Sequence, residues 1–170
     1  MIKLRPLTEN DITDEVVTWF SKNEVNFYLD SKNLTRLDLI TNLELANTTK
    51  AFHMLAIEEI SSNKHIGNVK IGPINFTTLV ADLVTVIGDP KFHGLGLGKK
   101  SIEIASDMAF EVYGIRKLSG KINVRNISSV KAYLGAGWFI EGILRDHDLR
   151  DGVVSDVYCV SKFNSTDKTI

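Results

Sequence analysis

Gly94, Gly96 and Gly98 lie between the apolar run Val84-Thr85-Val86-Ile87-Gly88-Asp89-Pro90 and two lysines, Lys99 and Lys100. Glycine lets the backbone come close to a ligand, and the first amides of a helix are unpaired and partially positive. Ile102, Ala105, Ala109 and Val112 share one helical face, so residues 101–112 read as that helix. Strand, glycine loop and helix start together suit a phosphate or pyrophosphate. Spacing argues against two nucleotide loops. A P-loop needs Ser or Thr after Gly-Lys to hold magnesium, but here Lys100 follows Gly98-Lys99 and His93 takes the leading position. A dinucleotide fingerprint needs G-x-G-x-x-G near the first strand of a βαβ unit. These glycines alternate, and the loop sits in mid-chain.

Other reactive groups are sparse. No His/Asp/Glu spacing suits a metal, and a single cysteine, Cys159, excludes an internal disulfide. Cys159 reads as a strand residue, and His53 and His65 as structural. The 170 residues fit one domain, and 44% hydrophobic content supplies a core. A net charge of −1 argues against nucleic acid or a membrane surface as partner. With no apolar run of membrane-spanning length and no leader-like start, the expected location is cytoplasmic.

The elements that must position the loop follow from periodicity and punctuation. Ile2-Lys3-Leu4-Arg5-Pro6 reads as a short edge strand. Thr8 with Asp11, and Thr35 with Asp38, have capping-box spacing and start two helices. Residues 51–60, 65–74 and 79–88 read as a three-strand meander, with Gly67 and Gly72 as bends or bulges. After the loop helix come a strand at 116–123, a short helix at 126–134, and a hairpin turning at Asp151-Gly152. The expected fold is therefore α+β: one domain over residues 1–163, with a central mixed, mostly antiparallel sheet flanked by helices. A polar tail, 164–170, follows.

The stretch His93-Gly94-Leu95-Gly96-Leu97-Gly98 resembles the Q/R-x-x-G-x-G/A motif of the GCN5-related N-acetyltransferase (GNAT) superfamily, with His93 in place of Gln or Arg. Residues Asn126, Ser129, Tyr133 and Gly137-Trp138 are similar to its N-x-x-S-x-x-x-Y-x-x-x-G-F segment, and Glu141-Gly142-Ile143-Leu144-Arg145 to EG-x-x-R of the ribosomal-protein alanine acetyltransferase branch. The resemblance spans nearly the whole chain. It implies an enzyme that moves acetyl from acetyl-CoA directly to a primary amine.

On this resemblance, the pyrophosphate of CoA is held by His93, Gly94, Leu95, Gly96, Leu97, Gly98 and Lys99, and the pantetheine arm by Val86, Ile87 and Gly88 at a bulged strand end. Lys99 and Lys100 add charge near the phosphates or form a solvated first turn. Asn126 and Ser129 assist the cofactor. Tyr133 is the expected proton donor and Asp82 the expected acidic relay, and Trp19, Tyr28 and His147 fall where the family binds the acceptor. The best expectation for that acceptor is a small metabolite, first a nucleotide-linked amino sugar. Protein N-terminal acetylation and a silent CoA-binding module are the alternatives. The final strands offer an edge for a homodimer.

Overall fold

The computed structural model describes residues 1–21, 23–29 and 33–164, with the side chains of Asn23 and Glu24 excluded. The chain runs β1 (Ile2–Pro6), α1 (Asp14–Trp19), α2 (Asn23–Asn26), α3 (Arg36–Thr49), β2 (His53–Glu59), β3 (Lys64–Asn75), β4 (Val80–Ile87), α4 (Leu97–Glu111), β5 (Lys117–Asn123), α5 (Ile127–Gly135), β6 (Phe139–Arg150) and β7 (Val153–Phe163). The first helical pattern breaks in two. Thr8 and Asp11 form the capping box, but on a 3-10 turn, Glu9–Asp11, and Thr13 caps α1 separately. The box of Thr35 and Asp38 caps α3 as its spacing predicts. The tail beyond Asn164 lies outside the described residues.

All seven strands form one sheet in the order β1-β2-β3-β4-β5-β7-β6. Every pairing is antiparallel except β4 with β5, which is parallel and short: Val80, Ala81 and Asp82 face Lys117, Leu118 and Ser119. Beyond Asp82 and Ser119 the two strands part, and the sheet opens into a wedge. Antiparallel neighbours can be joined by tight turns, whereas the parallel pair needs a crossover, which α4 supplies. The β6–β7 turn carries Asp151 at φ 50° and Gly152 at φ 78°, the two left-handed residues of a tight hairpin.

Each sheet face buries its own apolar stripe. On one, Ile102, Ala105 and Ala109 of α4 pack with Val69, Ile71, Leu83 and Leu118, all 0–1% exposed. On the other, Ile12, Val16, Leu39 and Leu43 cover Ala56 at the β2 end. The second layer stops there. The face of β4 and β5 carrying Asp82, Val84 and Lys121 is exposed, so one side of the wedge is open.

Candidate active site

The glycine loop follows directly from β4. Asp89 ends the strand, and its carboxylate accepts from the Lys91 amide at 3.0 Å and from Lys64 Nζ at 2.7 Å. Burial pushes its pKa up, but the bonds from Lys64 and Lys91 outweigh that and hold the carboxylate ionised. Gly94 and Gly96 sit at φ 75° and 74°, where a side chain is strained. A Cβ added to Gly94, Gly96 or Gly98 would meet nothing within 4 Å, so the α4 amides look onto open space. The ring of His93 turns back: its Nε2 lies 2.8 Å from the Ile87 carbonyl. Lys99 and Lys100 both reach Glu103, at 3.6 and 3.2 Å, which ties them to the first turns of α4.

The wedge beside the loop is lined by β4 backbone. In register with β3, Val86 lies opposite Asn68, and Gly88 N–H donates to the Ile66 carbonyl at 2.9 Å. Even-numbered β4 residues thus spend their backbone groups on β3, and odd-numbered ones point into the wedge. Tyr133 on α5 donates its hydroxyl to the Leu83 carbonyl at 2.7 Å, and the Thr85 amide points to the phenol oxygen. With His93 on the Ile87 carbonyl, the groups still facing the wedge are the Thr85 carbonyl and the Ile87 amide. The Thr85 hydroxyl nearby is buried without a partner among the described residues.

Two expectations about this strand are corrected. Val86 and Gly88 do not offer backbone groups to a cofactor, since both are turned to β3. The strand is also not bulged at Val86 and Ile87. β4 keeps register with β3 from Leu83 to Ile87, and the bulge comes just after, where the Gly88 and Asp89 amides both donate to the Ile66 carbonyl at 2.9 and 3.1 Å; a further irregularity lies on β3 between Ile71 and Ile74. The wedge opens where the pairing of β4 with β5 ends, at Asp82 and Ser119.

Tyr133 and Asp82 approach β4 from opposite faces. Tyr133 is buried, packs edge-on against Trp138 at 4.9 Å, and has its pKa raised by burial and then by the charge of Asp82. Asp82 is exposed on the open face and accepts a short hydrogen bond from the Ser119 hydroxyl across the last paired rung. Asn126 is the N-cap of α5: its Oδ1 accepts from the Ser129 amide at 3.2 Å and the Ser128 hydroxyl at 3.0 Å. Asn126 and Ser129 therefore aim α5, and through it Tyr133.

The expected acceptor residues separate. Trp19 is 1% exposed and edge-on to His65 at 5.1 Å. A Cβ on Gly88 would come within 2.0 Å of its ring. Its indole has no face left for a solute, so it is withdrawn as a substrate contact and becomes the floor under the strand end. Tyr28 is half-buried against Phe27. His147 is exposed on a stretch where β6 loses register with β7 between Leu144 and Asp148.

Between these two segments lies a network that sequence reading missed. Asp148 Oδ2 accepts from Asn123 Nδ2 at 2.7 Å and from Arg150 Nε at 2.7 Å. Arg150 also donates to the Phe27 and Leu29 carbonyls at 2.7 and 3.1 Å. Burial pushes Asp148 upward, yet the bonds from Asn123 and Arg150 hold its pKa below the usual carboxylate range. Opposite charges two apart on a strand share a face, and that spacing was the available signal.

Acetyl-CoA, the cofactor implied by the resemblance, fits what is present. The open space over Gly94, Gly96 and Gly98 would accommodate a pyrophosphate. The Thr85 carbonyl, the Ile87 amide and the orphaned Thr85 hydroxyl match the amide groups of a pantetheine arm. Among the described residues, no cluster of three His, Cys, Asp or Glu side chains could hold a metal ion, and no helix is long and apolar enough to cross a membrane.

Comparisons with known proteins bear on the fold and the family. A search of curated sequences finds no match. Among solved structures, the spermidine N-acetyltransferase from Vibrio cholerae in complex with CoA and spermine superposes with a TM-score of 0.87 at 21% identity, covering 96% of each chain. A chimera of the Vibrio cholerae enzyme SpeG and hSSAT gives 0.85 at 21% identity, covering 97% of this chain and 96% of that one. A point mutant of SpeG from Vibrio cholerae gives 0.82 at 21%, covering 97% of this chain and 95% of that one. At such identities the likeness establishes the fold. The model of the acetyltransferase (GNAT) domain family matches residues 2–138. The chain therefore belongs to the GNAT acetyltransferase family, whose members transfer acetyl from acetyl-CoA to an amine.

Proposed function

We propose that the chain acetylates the primary amine of a small molecule by direct transfer, with Asp82 accepting the amine's proton and Tyr133 protonating the departing sulfur. One observation carries this reading: the two groups meet β4 at adjacent residues from opposite faces, Asp82 from the open side and Tyr133 from the buried side at Leu83. Acetyl-CoA supplies the thioester carbon that the amine attacks.

An alkyl ammonium has a pKa of roughly 10, so nucleophilic attack first requires loss of a proton. Asp82 receives it on the oxygen opposite the one that Ser119 holds. The new C–N bond forms as the C–S bond breaks. Tyr133, kept protonated by burial, would give its proton to the sulfur; the new amide nitrogen sheds its second proton, which restores the phenol through solvent, so that one proton reaches the thiol and one, held on Asp82, is released. Asn126 keeps α5 in place, and the β4 backbone fixes the cofactor's register.

The neighbours named as spermidine N-acetyltransferases support a small amine over a protein N-terminus. A polyamine and a nucleotide-linked amino sugar differ in charge, so an acceptor panel separates them. Thiol release from acetyl-CoA is measured across spermidine, spermine, amino-sugar nucleotides and N-terminal peptides. A small amine is expected to give the highest kcat/KM. Tyr133→Phe and Asp82→Asn are each expected to lower kcat about 10²-fold or more while acetyl-CoA still binds. Full turnover in both variants, or a peptide as best acceptor, overturns the reading.

A further inference from the structure

The face of the sheet that presents Asp82 continues into a groove of about 480 Å³ at the foot of β4 and β5, bordered by Asn75, Thr78, Asp82, Arg116, Lys117 and Ser119. Its charges are unevenly satisfied. Lys117 is neutralised: its Nζ sits 2.7 and 2.8 Å from the two Glu141 oxygens and 5.0 Å from the centre of the Phe163 ring. Arg116 is not. Its Nε donates to the Thr78 carbonyl at 3.3 Å, which steadies the guanidinium, and its two terminal nitrogens have no partner among the described residues. At the other end, Asp82 has one oxygen held by Ser119 and no cation paired with it among the described residues. The groove thus holds one fixed anion and one fixed cation that do not meet.

The register relates their backbone positions. Asp82 pairs with Ser119 and Val80 with Lys117, while the Arg116 amide bonds the Leu79 carbonyl at 2.8 Å. Three residues, at a rise of about 3.3 Å each, put the two backbone positions roughly 10 Å apart, and both side chains line the one groove. A guanidinium with two free donors on one edge matches the paired oxygens of a phosphate or carboxylate. A polyamine, cationic throughout, would meet Arg116 as a like charge.

We infer that this groove binds the acceptor itself, and that the acceptor carries an oxyanion on the order of 10 Å from its reactive amine, the amine at Asp82 and the oxyanion on Arg116. The inference rests on the proposed transfer at Asp82 and narrows its substrate to an anion-bearing amine. Arg116 is then a specificity residue that leaves the chemistry alone.

Three probes of matched length test it: ω-aminooctanoate, ω-aminooctyl phosphate and diaminooctane, the last without an anion. Each is assayed for turnover with acetyl-CoA and, by calorimetry, for binding to the CoA-loaded protein. At least one anionic probe should exceed the diamine about tenfold in kcat/KM and in affinity, and its identity distinguishes a carboxylate from a phosphate acceptor. Arg116→Ala, an exposed substitution, should abolish that preference through KM with kcat unchanged, and Arg116→Lys should restore part of it. A diamine that equals or beats both anions, or an Arg116→Ala effect equal on all three probes, overturns the inference. Anion preference in binding without turnover keeps the groove and removes the transfer reading. Turnover with no anion preference does the reverse.

Discussion

His93 is the residue at which this chain departs from the motif it otherwise follows. Its imidazole occupies the Ile87 carbonyl, the last β4 group pointing into the wedge. That bond ties the start of the glycine loop to the end of β4. In His93→Ala the loop loses this tie, and a hydrogen bond nets about 1 kcal/mol. Calorimetric Kd for acetyl-CoA should therefore weaken about fivefold, while kcat at saturation holds. His93→Gln, which keeps a donor, should recover most of the loss, and an unchanged Kd in the alanine variant would separate His93 from loop order. Gly88 poses a packing question instead. A Cβ there would lie 2.0 Å from the Trp19 ring, so Gly88→Ala forces the indole or the strand end to move. Overpacking of this kind costs about 1–3 kcal/mol. A lowered urea midpoint should report it, and the added change Trp19→Leu should return part of the stability, because the two sites couple by contact.

At the scale of elements, the order of strands and helices was legible because each boundary had its own chemistry: Thr35 with Asp38 at the start of α3, Asp151-Gly152 at the last turn, Asn126 at the start of α5. The glycine loop between β4 and α4 was legible for the same reason. What could not be read was long-range register. The wedge exists because β4 and β5 pair over three residues and then part, and no local pattern encodes where a parallel pair stops. Trp19 was misplaced because an aromatic near an acceptor segment reads the same whether it faces solvent or a glycine. The Asn123, Asp148 and Arg150 network was missed because its targets are carbonyls more than a hundred residues away. That network makes an element-scale prediction. Arg150 holds the 27–29 segment against the final hairpin, so Arg150→Ala frees that segment at the open side of the wedge. KM for the amine should rise about tenfold, the value of one charged hydrogen bond, while Kd for acetyl-CoA stays as it was. Equal losses for both ligands would mean that the network supports the whole wedge and not the acceptor side alone.

At the scale of the molecule, the edge of the sheet away from the wedge is held by charge. Arg5 on β1 gives two hydrogen bonds to Asp11, at 2.8 and 2.7 Å, and one to Glu58 on β2 at 2.6 Å. Lys3 adds a second ion pair to Glu58 at 2.7 Å. Asp11 would be pushed up by burial, but Arg5 and the Thr8 amide and hydroxyl hold it far below the usual carboxylate range, and Arg5 and Lys3 lower Glu58. The sign of the pH effect follows. The folded state binds these protons more weakly than the unfolded chain, so the stabilisation is complete above the unfolded carboxylate pKa, about 4, and is lost as pH falls toward the folded values. The urea midpoint should stay level from neutral pH down to about 5 and drop steeply below about 4. Arg5→Met separates charge from packing. At neutral pH it leaves the Asp11 carboxylate buried without its partner and should cost about 2 kcal/mol. As pH falls and the carboxylates protonate, wild type loses the same interaction and the gap between the two proteins should close. A gap that is as wide at low pH as at neutral pH would assign the loss to the packing of the Arg5 stem, and the first strand would then be held by burial instead of by its ion pairs.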